Sequence, residues 1–288
     1  MMQDRSLDMF IEDIDDIREY IKNVCLANDV GKSNCISSDD SAIKFRNHLH
    51  KFGVAKKLFE YKAITISLYG ILEKHIGLWI KEHVSRLPKL VLGYNDLSES
   101  IREDHFNLSI KLISLISENR SPKYEYTKRE DVLARLNSCI ENPHSYDLNS
   151  DAFYLHSGNL KHAKIVEAFK HLDINLESRL KVVGVRTGGF LIDIASNTPN
   201  RGGDLFGLID DLVVRRNDIS HGESVDNILN VTEFNDYIDF LEGYGKAVFQ
   251  ILVEKNNQYE AEHLYEKIKN VKAIYKTGSI LCFEIENN

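Results

Sequence analysis

The sequence predicts a mainly α-helical bundle with additional helices around it and a small C-terminal β-hairpin, and three observations point there. The chain holds only 4 Pro and 16 Gly in 288 residues, and both residue types interrupt helical ladders. Apolar residues recur at three- and four-residue spacing over several long stretches, which is the period of a helix with one face to bury. Only the terminal VKAIYKTGSILCFEI departs from this pattern: β-branched and aromatic runs flank Lys276-Thr277-Gly278, as in a short hairpin.

Along the chain, residues 5–26 alternate apolar and acidic positions, with Met9, Ile11, Ile14, Ile17, Ile21 and Val24 on one side, so a surface helix is expected. Residues 27–41 carry the Gly, Asn, Ser and Asp of a loop, and 41–52 read as a short helix. From Ala55 to Val84 the chain is apolar nearly all round, the signature of a central bundle helix, and it is expected to stop before Pro88. Within it Tyr69, Gly70, Glu73, Ile76 and Gly77 share a side, placing a phenol and a carboxylate one turn apart. Gly70 and Gly77 would let another helix or subunit approach closely. Trp79 reads as packing, and His75 and His83 as surface positions.

Further helices are expected over 98–118 and 128–141, the second ending at Asn142-Pro143. Residues 144–158 look polar and turn-like. Ser157 or Asn159 could then cap a helix carrying Leu160, Ile165, Val166, Phe169 and Leu172. SNTPNRGG at 196–203 has loop composition, after which Asp204 could cap a helix with Leu205, Leu208, Ile209, Leu212 and Val213. A last long helix is expected over 233–255. The expected organisation is a helical extension over 1–54, a helical domain over 55–255 with an insert near 118–158, and a β appendage over 256–288.

Composition narrows the function. An apolar fraction of 43% in a chain of this length supports a buried core. Cys25, Cys35, Cys139 and Cys282 lack the spacing of a zinc site, and His156, His162 and His171 are too dispersed to form a metal set, so neither metal nor cofactor is expected. GVRTGG at 184–189 lacks the residue order of a phosphate loop. The N-terminus is acidic rather than export-like, and no stretch reaches the roughly 18 apolar residues of a membrane span; a soluble cytoplasmic protein is expected. A net charge of −8 argues against a broad nucleic-acid-coating surface but leaves room for a local basic notch. Lys51, Lys56, Lys57, Lys123, Lys128 and Arg129 would form an RNA approach if they converge.

The densest polar cluster is LVVRRNDISHGES at 212–224. Basic residues and glycine close many helices for dipole and capping reasons alone. The types present also suit phosphate chemistry: a guanidinium binds nonbridging oxygens and an imidazole moves a proton. RNA fits because its 2′-hydroxyl is a built-in nucleophile. At about 100° per residue, Asn217 and His221 stack while Arg216 points about 140° away from His221. Two arrangements would reunite them: a left-handed Gly222 that swings the last turn, or a second subunit across a two-fold axis.

Arg216-Asn217 followed by His221 resembles the R-x4-6-H motif of the HEPN superfamily. With SLYGILEKHIG, HSGNLKHAKIVEAFKHLDI and DLVVRRNDISHG together, the chain resembles the MAE_28990/MAE_18760 type of HEPN-like nuclease over roughly residues 55–255. The resemblance implies a HEPN-like bundle, a homodimer with both motifs facing one cleft, and metal-independent RNA cleavage in toxin or antiphage systems, with tRNA among the candidate substrates and an antitoxin or defence protein as partner. It makes Arg216 and His221 the catalytic pair, Asn217 the residue that orients them, and Glu73 the acidic residue holding arginine or histidine. Arg215 also satisfies the spacing and, with Tyr69 and Ser220, is a substrate-binding candidate. The competing expectation is a noncatalytic HEPN-like binding or scaffold module that regulates a partner protein.

Overall fold

The computed structural model describes residues 4–32, 40–118, 124–155, 159–186, 206–222, 227–264, 271–275 and 280–283. Eight α-helices are described: α1 (Asp4–Lys32), α2 (Asp40–Leu90), α3 (Glu99–Ser117), α4 (Arg129–Glu141), α5 (His162–Lys170), α6 (Leu176–Arg186), α7 (Gly207–His221) and α8 (Phe234–His263). The second half of α2 is the axis of the bundle and packs against α1, α7, α8 and a single 3-10 turn at Ser150–Tyr154. Its largely apolar composition accounts for this, since Tyr61, Ile64, Leu68, Leu72, Ile76, Trp79, Ile80 and Val84 are all buried and cover more than half of the helix circumference, with Gly70, Lys74 and Ser85 on the exposed side.

One helix replaces the two expected over 41–52 and 55–84, and it continues through Pro88 to Leu90. A proline so close to the end removes little of the ladder, so it does not stop the helix. α1 lays Phe10, Ile14, Ile21 and Val24 into the seam between α2 and α8. There Phe10 meets Trp79 edge-on at a centroid distance of 5.2 Å, and Phe249 meets the other side of Trp79 at 5.4 Å.

The α1–α8 approach depends on Gly245, because a Cβ at that position would overlap the Phe10 ring. Alanine normally favours an exposed helix interior over glycine by about 1 kcal/mol. Here the sign reverses: Gly245→Ala is expected to destabilise by about 1–3 kcal/mol through overpacking, read by urea unfolding.

His75 and His83 are not surface residues; both are fully buried. Both lie on the packed faces of α2 and not on the side where Lys74 and Ser85 are exposed. His75 Nε2 lies 2.6 Å from Asp13 Oδ2 on α1, while His83 faces Asn256 and the Tyr259 ring at the α8 side. The segment expected to be a polar turn also contributes to the core: Tyr146, Leu148, Ala152, Phe153 and Tyr154 are buried. Hydrogen bonds tie it to the neighbouring helices, with the Asn149 N–H donating to His105 Nε2 (3.1 Å) and Asn149 Nδ2 donating to the Val132 carbonyl (3.1 Å). The Tyr154 ring fills the space in front of Gly77, so that glycine serves packing within the chain, whereas no described residue lies within 4 Å of where a Gly70 Cβ would be.

The fold class needs one correction: it is a helical bundle, and the expected C-terminal β-hairpin is not one of its architectural parts. The short segments β1 (Val271–Tyr275) and β2 (Ile280–Phe283) pair only with each other as strands, with a register irregularity between Val271 and Ala273, and the described core ends at Tyr259. A two-stranded ladder by itself is marginal in water, so β-branched composition alone overstated this region. Its expected turn at 276–278, the loop at 196–203, and Ser157 and Asp204 lie outside the described residues.

Candidate active site around Arg216

The inner half of α7 buries Leu208, Ile209, Leu212 and Val213 in the bundle, which fixes the helix and carries its last two turns to the surface. Two adjacent aspartates tie α7 to its neighbours. Asp210 Oδ1 accepts the backbone N–H of His162 at 2.8 Å and caps the start of α5. Asp211 Oδ2 accepts Arg215 Nε at 2.6 Å and also the Tyr237 hydroxyl.

The two arginines have different surroundings. Arg215 is held on all sides: besides Asp211, its Nη1 donates to the Asn227 carbonyl at 2.8 Å and reaches the Tyr61 hydroxyl at 3.4 Å. Burial acts to lower its pKa, but the bonds to Tyr61 and Asp211 outweigh it and raise the value above that of a free arginine. Arg216 has no carboxylate partner among the described residues. Its guanidinium lies 4.8 Å from the centroid of the Tyr69 ring, and Nη1 donates to two amide oxygens, Asn217 Oδ1 at 3.2 Å and Asn159 Oδ1 at 3.4 Å. A cation steadied by a π-face and amides keeps its charge uncancelled.

Tyr69 is 3% exposed, and its hydroxyl accepts the Leu160 N–H at 3.1 Å. Burial pushes its pKa up, the Leu160 bond opposes this, and the nearby Glu73 carboxylate and Arg216 cation act in opposite directions. Tyr69 is therefore a platform under Arg216, while its hydroxyl fixes the strand of chain that enters α5. Glu73 shares Tyr69 as a neighbour but makes neither hydrogen bond nor ion pair with Arg216 or His221 among the described residues. Ser220, exposed, donates its hydroxyl to the Arg216 carbonyl at 2.8 Å.

His221 is exposed in the last turn. Gly222 does adopt the left-handed cap, with φ 71° and ψ 22°, and its N–H reaches the Asp218 and Ile219 carbonyls. However, α7 stays helical through His221, so the cap follows the histidine and does not swing it. The angular separation from Arg216 remains about 140°, and the within-helix repair is lost.

The three quoted sequence segments thus converge, with Tyr69 from α2, Asn159 and Leu160 before α5, and Arg216 and Asn217 from α7. Sequence reasoning missed the clamp. The Asp211–Arg215 pair was visible as an i,i+4 spacing, but Tyr61, Tyr237 and the role of Asn159 carry no local signal. No group of three or more His, Cys, Asp or Glu among the described residues is placed to hold a metal ion. A depression of about 460 Å³ on α3, lined by Glu99, Arg102, Glu103, Phe106 and Asn107, involves none of these residues.

No helix among the described residues is long and apolar enough to cross a membrane. No curated protein and no solved structure matches the chain. Residues 10–254, from the first turns of α1 to the last turns of α8, match the RiboL-PSP-HEPN family. The match upholds the HEPN resemblance and supplies the family within the superfamily, in place of the MAE_28990/MAE_18760 type. Both the bundle and the Arg216 segment fall inside the matched span, and the chain belongs to the RiboL-PSP-HEPN family of the HEPN superfamily.

Proposed function

We propose that the protein is a metal-independent endoribonuclease whose site is completed by a second copy of the chain, acting as a toxin or antiphage component. The HEPN fold is consistent with an RNA-binding or nuclease role. The observation that carries the finer reading is the contrast between Arg215, fully engaged by Asp211, Tyr61 and Asn227, and Arg216, held in place with its charge uncancelled. Arg216 would bind the nonbridging oxygens of a phosphodiester and offset the charge that develops on them. The 2′-oxygen then bonds to phosphorus as the P–O5′ bond breaks, leaving a 2′,3′-cyclic phosphate and a 5′-hydroxyl. The proton lost from the 2′-oxygen is matched by one gained at O5′, and His221 would be the group that moves a proton. Because Arg216 and His221 diverge on one helix, the pair would be formed by Arg216 of one copy and His221 of the other, with Asn217 orienting Arg216 through its Oδ1.

Purified protein is expected to cut structured RNA in EDTA, leaving cyclic phosphate ends, and His221→Ala is expected to lower the rate by about 10²–10⁴-fold with unchanged mass in solution. Undiminished cutting by folded His221→Ala would remove the assignment. The second reading, a noncatalytic module that regulates a partner protein, draws support from the net charge of −8; it predicts no cleavage by the wild type under any of these conditions.

A further inference from the structure

Burial along α2 begins only at Glu60. The residues before it, 40–59, form a helical arm of about 30 Å with no buried residue. Phe45, Phe52, Phe59 and Ile66 on this helix are 46%, 43%, 67% and 48% exposed. They stand seven residues apart, so successive members drift by only about 20° and form one stripe along the helix. A seven-residue apolar repeat is what a partner helix needs to seat its side chains, and these four side chains face solvent.

Charge indicates which helix. Between residues 41 and 62 the sequence has six cations, Lys44, Arg46, Lys51, Lys56, Lys57 and Lys62, against the single carboxylate Glu60, in a chain whose net charge is −8. Lys56 pairs with Glu60 at 2.7 Å and Lys44 with Asp40 at 2.8 Å, while Lys51, Lys57 and Lys62 have no ion pair among the described residues. A second copy aligned in register would set these lysines against their own counterparts. RNA would satisfy the lysines, but phenylalanines about 10 Å apart along a helix do not match bases spaced about 3.4 Å apart in a stack.

We infer that this arm is the docking site for an amphipathic helix with acidic flanks, contributed by a partner protein. Its apolar seam covers Phe45, Phe52, Phe59 and Ile66, and its carboxylates meet Lys51 and Lys62, which lie on one flank of that stripe, whereas Lys57 faces away from it. Ile66 lies one turn before Tyr69 and Gly70, so the docked helix ends beside the Arg216 cluster, where it controls access to that cluster. The inference concerns partner binding and holds whether or not the chain cleaves RNA.

The test is a fluorescence-anisotropy titration of the full-length protein with a labelled synthetic four-heptad peptide bearing Leu at the seam positions and Glu on both flanks. The comparison peptide has the same composition with its leucines moved out of register. The in-register peptide is expected to bind at least about tenfold more tightly, to weaken with added salt, and to lose at least about tenfold in affinity with Phe52→Asp/Phe59→Asp. Should that variant fail to fold, Lys51→Glu/Lys62→Glu is expected to weaken the same binding. Equal binding of both peptides, or none, overturns the inference. It is also overturned if 2′-O-methylated poly-uridine, which cannot be cut by 2′-attack, binds through the same phenylalanines, or if Phe52→Asp/Phe59→Asp halves the mass in light scattering; the arm would then serve RNA or a second copy.

Discussion

Arg216→Ala is expected to lower RNA cleavage by about 10²–10³-fold, the usual effect of removing a group that stabilises transition-state charge, while stability stays within about 0.5 kcal/mol of wild type. Its neighbour should behave in the opposite way. Arg215 closes a network with Asp211, Tyr61, Tyr237 and Asn227, and its side chain is only 13% exposed. Arg215→Ala leaves Asp211 without its cation, so a loss of about 3–5 kcal/mol is expected, the range for breaking a buried pair from one side; the partial exposure of Asp211 puts the result toward the lower end. Two adjacent arginines would thus separate by assay, one in cleavage and one in urea unfolding. Equal effects of both variants in both assays would mean that the clamp and the reactive cation are wrongly assigned.

Acid should destabilise the fold well above the pH at which carboxylates titrate. Burial pushes both His83 and His105 down from 6.5 to about 4, with Asn256 opposing it at His83. His105 is neutral by geometry too, since Nε2 accepts the Asn149 N–H at 3.1 Å and therefore carries no proton. In the unfolded chain each imidazole binds a proton below about pH 6.5, whereas the folded chain resists until about pH 4. Between these values the unfolded state holds more protons. Stability from these groups is therefore fully present above pH 6.5, falls as pH drops, and is gone below about 4. At about 1.4 kcal/mol per unit, each histidine contributes on the order of 3 kcal/mol. His75, shifted in the same direction by burial and opposed by Asp13, adds to the slope. Urea unfolding across this window should show the decline, and His83→Gln should flatten it by removing one titrating group. A wild-type stability independent of pH over this range would contradict the burial of these side chains as functional parts of the core.

Much of the bundle was legible because its helices announce themselves by apolar period, and α3 and α4 begin and end within a residue or two of expectation. Where the sequence was silent, the cause lay in distance along the chain. His75 and His83 were placed outside by default, because the partner that makes His75 tolerable in the core, Asp13, lies 62 residues upstream. The arm of α2 was divided at Gly53, although that glycine sits within a continuous helix. At the C-terminus, β-branched composition was read as an architectural hairpin, whereas the described core is formed by the helices and the segments between them. The site shows the same division. Arg216 and Asn217 are sequence neighbours and meet through a hydrogen bond, so their pairing could be anticipated. The choice between Arg215 and Arg216 could not, since Tyr61 stands 154 residues from Arg215 and Tyr69 comes from the same distant helix.

The central claim is that Arg216 of one copy works with His221 of another, and it is tested most directly by complementation. Arg216→Ala and His221→Ala chains carrying different affinity tags are co-expressed, and the mixed dimer is purified through both tags. A shared site predicts that the mixed dimer regains cleavage at about half the wild-type rate, since one of its two sites combines an intact Arg216 with an intact His221 while each homodimer stays inactive. A mixed dimer as inactive as its parents would contradict the shared site.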